Sequence, residues 1–239
     1  MQTRPEWSRY RLVVFDVDGT LYDQRRLRAR IALSMAREVA RAHDLSIISA
    51  IRTFRRLREQ FAEEERIDFE RQLFEATARA CGRPEVFVRQ VIEEWINRRP
   101  LLYLRACMFP NVSALFDAIR ASNRSIAVLS DYPAIDKMTI MGLTADIVVS
   151  ATDPDVRVLK PNPKGLLHIM KIAGMSPEEC LFIGDRFERD GAAAERANVA
   201  VLIRSTRPHP RFTTFRRYDD PVLFGPVLAE RCVRNPVLS

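Results

Sequence analysis

The stretch Arg11–Asp23, RLVVFDVDGTLYD, decides the fold of this 239-residue chain. Its first five residues form a short apolar run, which is typical of a buried strand in a parallel sheet. The run ends at Asp16, and Asp18 and Gly19 follow in a turn. Glycine at position 19 permits a tight turn close to a ligand. Ligands of open parallel sheets bind beyond the carboxyl ends of the strands, so this turn is a candidate binding edge.

After this strand, the sequence becomes helical from about Gln24 to Arg99. Apolar residues recur there at spacings of three and four, which predicts amphipathic helices. We expect four of them, at roughly Arg25–Ala42, Ile47–Glu64, Asp68–Cys81 and Pro84–Asn97. No stretch of this segment has the pattern of a strand. The pattern therefore predicts an all-helical insert directly after the first strand.

Beyond Pro100, predicted strands and helices alternate. We expect strands at Ser125–Leu129, Ala145–Val149, Cys180–Gly184 and Val199–Ile203. We expect helices at Asn111–Ala121, Ala134–Met141, Pro163–Ala173 and Asp190–Ala197, and a further helix start at Ser176–Glu179. This alternation implies an α/β protein with a doubly wound parallel sheet, that is, a Rossmann-like core. We assign residues 1–23 and 104–239 to this core and residues 24–103 to an inserted all-helical cap domain.

Polar side chains follow three of the predicted strands at the points where they end. They are Asp16 after the first strand, Ser130 and Asp131 after the strand at 125–129, and Asp185 and Asp190 after the strand at 180–184. Lys160 stands just before a predicted helix. Because the carboxyl ends of parallel strands share one edge of the sheet, we expect these side chains to converge.

This set of residues suits a phosphate and a magnesium ion. Mg²⁺ prefers about six oxygen ligands, and Asp16 and Asp185, with Asp190 as a third candidate, can supply carboxylates. The metal and Lys160 would offset the repulsion between a carboxylate nucleophile and an anionic phosphate. Ser130 offers a hydroxyl donor for a phosphate oxygen.

The two carboxylates of the first turn, Asp16 and Asp18, need separate roles. One can attack phosphorus directly, as carboxylates do in covalent phosphoryl transfer. The other can protonate the leaving alkoxide and then deprotonate the attacking water.

Four motifs resemble those of the haloacid dehalogenase-like hydrolase superfamily, and they occur in the family's order. They are DVDGTLYD at Asp16–Asp23, Ser130, Lys160-Pro161, and GDRFERD at Gly184–Asp190. The helical insert resembles the superfamily's helical cap of the first type. The chain departs from the pattern after Ser130, where Asp131-Tyr132-Pro133 stands in place of the Asn-Gly of many members.

The resemblance implies a role for each of these residues. Asp16 would be the nucleophile and Asp18 the acid and base. The main-chain carbonyl of Asp18 would join Asp16 and Asp185 at magnesium, and Asp190 would support that site directly or through water. The substrate phosphate would be bound by Ser130, Asp131 and Lys160. We read Asp23 as a cap or hinge residue at the boundary of the insert.

The resemblance favours a magnesium-dependent phosphatase that hydrolyses a small phosphomonoester through an aspartyl-phosphate. A 2-haloacid dehalogenase of the superfamily would usually lack a carboxylate at position 18, because it expels halide and needs no acid. A phosphomutase would keep both carboxylates and stays an alternative. A phosphonate-cleaving relative would need a cap lysine, and residues 24–103 contain none. A non-catalytic phosphate-binding module would be expected to have lost Asp16 or Lys160.

Composition narrows the choice of partners. The net charge is +7, but 34 of the 38 basic residues are Arg and they are spread along the chain, so we expect no nucleic-acid partner. No apolar run approaches the ~20 residues that span a bilayer, and no signal peptide is evident, so we expect a cytoplasmic protein without a membrane partner. The oligomeric state and the substrate stay open. The four cysteines show no metal-binding spacing and are expected to be buried.

Overall fold

A six-stranded parallel sheet forms the centre of the computed structural model, which describes residues 5–42 and 45–234. The strands are β1 Leu12–Phe15, β2 Ser125–Ser130, β3 Ile147–Ser150, β4 Cys180–Gly184, β5 Ala200–Arg204 and β6 Thr213–Phe215. Their spatial order is β3-β2-β1-β4-β5-β6, and every neighbouring pair is parallel. The chain leaves β1 towards one edge and later returns to its other side, so the order reverses there. The predicted doubly wound, Rossmann-like fold is confirmed.

Ten α-helices flank or cover this sheet in the described residues. They are α1 Gln24–Ala42, α2 Ser46–Glu63, α3 Phe69–Cys81, α4 Glu85–Ile92, α5 Arg99–Leu104, α6 Val112–Ala121, α7 Ile135–Met141, α8 Lys164–Ala173, α9 Ala192–Arg196 and α10 Gly225–Arg234. A π-helical turn at Glu93–Arg98 connects α4 with α5, and a 3₁₀ turn at Arg105–Cys107 follows α5.

Strand β1 is buried on both faces because its side chains alternate between two cores. Val13 and Phe15 belong to the core formed with α6 and α10, and the ring of Phe15 lies 4.6 Å from that of Phe116. Leu12 and Val14 belong to the core formed with α8 and α9. Each fully buried aliphatic side chain of this kind contributes about 1.5–3 kcal/mol. The strand that carries the first motif is therefore anchored on both sides.

The sheet takes none of its strands from residues 24–42 or 45–103, which are helical as predicted. Within this segment α2, α3 and α4 pack together, for example through Phe54 and Phe74, whose rings are 5.4 Å apart. The predicted boundary at 103 falls inside α5, which continues to Leu104. Asp23 accepts hydrogen bonds from the main-chain N–H groups of Arg25 and Arg26, so it caps α1 as expected. The division into core and cap domains stays a prediction.

Two predicted helix starts differ from the structure. Ser176 and Glu179 form the expected reciprocal capping box, but only one 3₁₀ turn, Pro177–Glu179, follows it. Strand β4 begins at once at Cys180, and its pairing with β1 overrides the local helix signal. The helix expected at 190–197 begins instead as a π-helical turn at Phe187–Gly191, so Asp190 lies inside that turn.

The segment after residue 206 contributes two further regular elements. β6 extends the sheet beside β5, and α10 packs on α6. Trp7 joins this end of the molecule, since its indole N–H donates to the carbonyl of Leu223 at 2.6 Å. Of the cysteines, Cys107 and Cys180 are buried as expected, whereas Cys81 is half-buried. The side chain of Cys232 lies outside the described part. No helix among the described residues is long and apolar enough to cross a membrane.

Candidate active site

Asp16 directly follows β1, and its buried carboxylate is held from two sides. Thr20 Oγ1 donates to Asp16 Oδ2 at 2.8 Å, and Lys160 Nζ donates to Asp16 Oδ1 at 2.5 Å. Burial is the main cause that raises the pKa of Asp16. Lys160 opposes this rise, and the carboxylates of Asp190 and Asp18 add to it. The arrangement fixes one carboxylate at the carboxyl end of the central strand.

Asp18 lies at the other side of the same turn and is paired with a lysine. Lys137 Nζ donates to both carboxylate oxygens, at 2.6 and 2.8 Å. The Tyr22 hydroxyl donates to Asp18 Oδ1, and Ser130 Oγ donates to Asp18 Oδ2 at 3.4 Å. Burial alone would raise the pKa of Asp18, but Lys137 and Tyr22 outweigh it, so the net pKa is lowered. Asp16 and Asp18 therefore occupy different electrostatic environments.

Lys160 joins the third and fourth motifs to the first. Its Nζ lies 2.5 Å from Asp16 Oδ1 and 2.7 Å from Asp190 Oδ1, in a buried position. Burial opposes the charge of Lys160, but these two carboxylates raise its pKa well above the ordinary value. Asp190 Oδ2 accepts the main-chain N–H groups of Asp185 and Arg186, at 3.0 and 2.9 Å. Both oxygens of Asp190 are thus engaged in positioning Lys160 and the main chain at Asp185.

A divalent cation fits the cluster of carboxylates formed by Asp16, Asp185 and Asp190. Oxygens of Asp16, Asp185 and Asp190 lie within 4.8 Å of one another. Asp185 Oδ1 is buried and has no hydrogen-bond partner in the described residues. Burial and the other two carboxylates raise the pKa of Asp185. Three carboxylates beside the single ammonium of Lys160 leave an excess of negative charge, which Mg²⁺ would neutralise.

Gly19 leaves the space that this carboxylate cluster needs. Its φ of +97° lies in the region that disfavours side chains. A Cβ at this position would also collide with the Asp185 carboxylate. The expected tight turn at glycine 19 is therefore present, and it allows the turn after β1 to approach the end of β4.

The two predicted residues at the end of β2 differ in what they can offer a substrate. Ser130 is fully buried, and its Oγ accepts the main-chain N–H of Tyr132 at 3.2 Å while facing Asp18. Asp131 Oδ1 accepts the main-chain N–H of Lys160 at 3.1 Å. The Asp131 side chain thus holds the loop that carries Lys160. The negative charge of the Asp131 carboxylate would repel a phosphate, and the carboxylate has no hydrogen-bond donor to offer it. The side chain therefore gives no support to the predicted part of Asp131 in phosphate binding.

Sequence reasoning missed three residues that complete the site: Thr20, Tyr22 and Lys137. Thr20 and Tyr22 each follow their carboxylate by four residues, and this repeated spacing in DVDGTLY was an available signal. Lys137 is one of only four lysines in the chain and is buried on α7. Nothing in the sequence predicts its contact with Asp18.

A cavity of about 100 Å³ opens onto these groups. Asp16, Asp18 and Lys160 line it from the ends of the strands, and helices α1 and α2 contribute Gln24, Arg28, Arg55 and Glu59. Arg58 of α2 contacts the loop that follows β2. The guanidinium of Arg58 donates to the carbonyl of Asp131 and lies 4.0 Å from the ring centre of Tyr132.

Residues 10–198 match the family model of the haloacid dehalogenase-like hydrolases. The chain belongs to this family. Two curated proteins are similar to it over most of their length. A glyceraldehyde 3-phosphate phosphatase of Methanopyrus kandleri is 25% identical over 196 residues, which cover 80% of this chain and 82% of that protein. A phosphoglycolate phosphatase of Salmonella paratyphi A is 26% identical over 187 residues, covering 72% and 73%. The resemblance to a phosphatase-type hydrolase of the family is confirmed.

Solved structures of haloacid dehalogenase-like proteins share the fold. The protein YfnB from Bacillus subtilis, solved bound to magnesium, superposes with a TM-score of 0.64 at 15% identity, covering 88% of this chain and 96% of that one. The L-2-haloacid dehalogenase of Xanthobacter autotrophicus superposes with a TM-score of 0.62 at 19% identity, covering 96% and 100%. At such low identities these likenesses concern the fold alone.

Proposed function

We propose that this chain is a magnesium-dependent phosphatase that hydrolyses a small phosphomonoester through an aspartyl-phosphate on Asp16. The observation that carries the proposal is the pairing of Asp16 with Lys160 at 2.5 Å, beside a second carboxylate, Asp18, that belongs to the same turn. The two curated relatives described above are phosphatases of small phosphorylated molecules, which supports the same reaction class.

Each residue of the site has a part in this reaction. Asp16 attacks phosphorus, and Thr20 holds the carboxylate that attacks. Lys160 and Ser130 bind phosphate oxygens, and their donors reduce the repulsion between nucleophile and substrate. Asp18 protonates the leaving alkoxide and then takes the proton of the water that hydrolyses the intermediate.

Magnesium would be held by the carboxylates of Asp16 and Asp185, with the main-chain carbonyl of Asp18 as a further ligand. When bound, the ion would neutralise charge on the transferring phosphoryl group. The unpartnered Asp185 Oδ1 supports this assignment. Asp190 contributes by positioning Lys160 and the main chain at Asp185.

The experiment that tests the function measures phosphate release from nitrophenyl phosphate and alkyl phosphates, with magnesium and with excess chelator. We expect activity with magnesium only, and none from Asp16→Asn, because a neutral amide is a poor nucleophile. Asp18→Asn should lose roughly 100- to 10,000-fold with alkyl phosphates, the usual size of general acid–base assistance. Full turnover in chelator would contradict the metal assignment.

Nitrophenyl phosphate distinguishes the mechanism further, because its leaving group needs little protonation. Asp18→Asn should release a burst of nitrophenol and then stall as a phosphoenzyme. Mass spectrometry should locate one added phosphoryl group on Asp16, and a phosphohistidine or phosphoserine would refute the proposal. The carboxylate at Asp18 favours this function over a dehalogenase. Halide release from a 2-haloacid, without phosphate release from any ester, would reverse that preference.

A further inference from the structure

Two arginines of the cap face the catalytic cavity without an acidic partner. Arg28 of α1 and Arg55 of α2 both line the cavity that contains Asp16 and Lys160. Neither guanidinium forms a hydrogen bond or an ion pair with any residue in the ranges 5–42 and 45–234. Most other arginines near the site are engaged, as Arg58 is with the carbonyl of Asp131.

The two guanidiniums are close enough to repel each other. Arg55 is half-buried, and burial together with the charge of Arg28 lowers the pKa of Arg55. The same two arginines also line an apolar groove of about 270 Å³ between α1 and α2, together with residues such as Ile31, Met35 and Ile51. Like charges beside apolar surface cost free energy, and a bound anion would reverse that cost.

The position of the pair indicates the kind of anion that it would bind. Both arginines line the same cavity as Lys160, so a small molecule whose phosphate lies at Lys160 would present its other end to them. Guanidinium groups bind carboxylates through paired N–H donors, so a carboxylate at that end suits the pair.

We infer that Arg28 and Arg55 form a second anion subsite, and that the substrate is a small phosphorylated carboxylic acid. Its phosphate would lie at Asp16 and Lys160 in the core, and its carboxylate between the two arginines of the cap. This inference rests on the proposed phosphatase function. It adds that the substrate bridges core and cap by its two charged ends.

Two esters that differ only in the second anion test the inference: phosphoglycolate and 2-hydroxyethyl phosphate. With magnesium, the intact protein should show the higher kcat/KM for phosphoglycolate. Arg55→Gln and Arg28→Gln should each lower the ratio of the two kcat/KM values by about 10- to 100-fold, as expected for a lost charged hydrogen bond. Arg55→Lys should restore part of the ratio. Arg56→Gln, at the exposed neighbouring position of α2, is the matched control and should leave the ratio unchanged.

Thermal unfolding of the inactive Asp16→Asn protein gives a second measurement that does not need turnover. Phosphoglycolate should raise Tm more than 2-hydroxyethyl phosphate does, and Arg55→Gln in that background should abolish the difference. Equal kcat/KM for the two esters, or a ratio insensitive to both arginines, would overturn the subsite. Failure of the proposed function looks different, since then neither ester nor nitrophenyl phosphate would be hydrolysed at all.

Discussion

Lys137, a buried lysine of α7, holds the carboxylate of Asp18 in place. Lys137 contacts both oxygens of Asp18, and its side chain is only 9% exposed. The ammonium also lies 5.2 Å from the ring centre of Tyr132, which limits its freedom. The lining residues of the catalytic cavity do not include Lys137, so we expect it to act as a positioning residue that holds the Asp18 carboxylate beside Ser130.

We expect Lys137→Met to lower kcat more than it changes KM, because a mispositioned Asp18 affects proton transfer rather than binding. Lys137→Arg should recover part of kcat by restoring a cation. Lys137→Met should also reduce the free energy of unfolding by about 1–3 kcal/mol, since a buried carboxylate loses its charged partner. Steady-state kinetics and urea unfolding check both, with Lys171→Met, an exposed lysine of α8, as control. A change in KM alone would contradict the positioning role.

The residues at the strand ends could be predicted, and their partners could not. Asp16, Asp185 and Ser130 follow apolar runs, and a parallel sheet brings such ends to one edge whatever the loops do. Lys137 comes from a helix whose rotation about its axis is set by packing, which a single sequence does not reveal. Thr20 and Tyr22 depend on the path of the turn through Gly19.

Glu59 of helix α2 contacts the loop that follows β4. The Glu59 carboxylate accepts two hydrogen bonds from the guanidinium of Arg186, at 2.9 and 2.8 Å, and one from Arg189 at 2.9 Å. Hydrogen bonds from Arg186 are the main cause that lowers the pKa of Glu59 to about 2. Both arginines belong to the segment that follows β4, so this contact joins α2 to the loop of Asp185.

The lowered pKa of Glu59 predicts a pH-dependent contribution to stability. The contribution is fully present above the ordinary pKa of 4.5 and is lost as pH falls towards 2. The Glu59 side chain is 50% exposed, so we expect Glu59→Gln to cost only about 1 kcal/mol or less at pH 7. This cost should shrink between pH 5 and pH 3, as measured by urea unfolding.

Glu63→Gln is the matched control for that series. Glu63 lies on the same helix, is 74% exposed and approaches Arg189 only to 3.9 Å. Its replacement should change the free energy of unfolding by a few tenths of a kcal/mol at most, at any of these pH values. A cost of Glu59→Gln that does not vary with pH would show that the contact depends on packing rather than charge.

Helices and strands were predicted well where the apolar period is long, and poorly where a tertiary contact decides. The 18-residue α2 matches its prediction to within a residue at each end. The capping box at Ser176 does form, but the helix that it signals ends after a single turn because β4 pairs with β1 from Cys180 onwards. Strand β6 has only three residues, Thr-Thr-Phe, and so short a segment cannot be told from a loop by its pattern.

At the scale of the whole molecule, the C-terminal segment completes the first motif. Tyr218 is fully buried, and its hydroxyl donates to the main-chain carbonyl of Thr20 at 2.6 Å. Its ring packs against Phe215 and Phe224, at 5.1 and 5.9 Å between ring centres. The sequence offered no sign of this contact, because 198 residues separate the two partners.

This contact predicts that the segment after residue 206 affects catalysis as well as stability. Tyr218→Phe keeps the packing but leaves the buried carbonyl of Thr20 without its donor, which should cost about 1–3 kcal/mol of unfolding free energy. Because Thr20 holds the Asp16 carboxylate, kcat should fall as well, while KM changes little. Tyr103→Phe, at a half-buried tyrosine of α5 whose hydroxyl has no hydrogen bond in the described residues, should change neither quantity. A destabilised Tyr218→Phe protein with undiminished kcat would mean that the turn at Thr20 keeps its geometry without the tail.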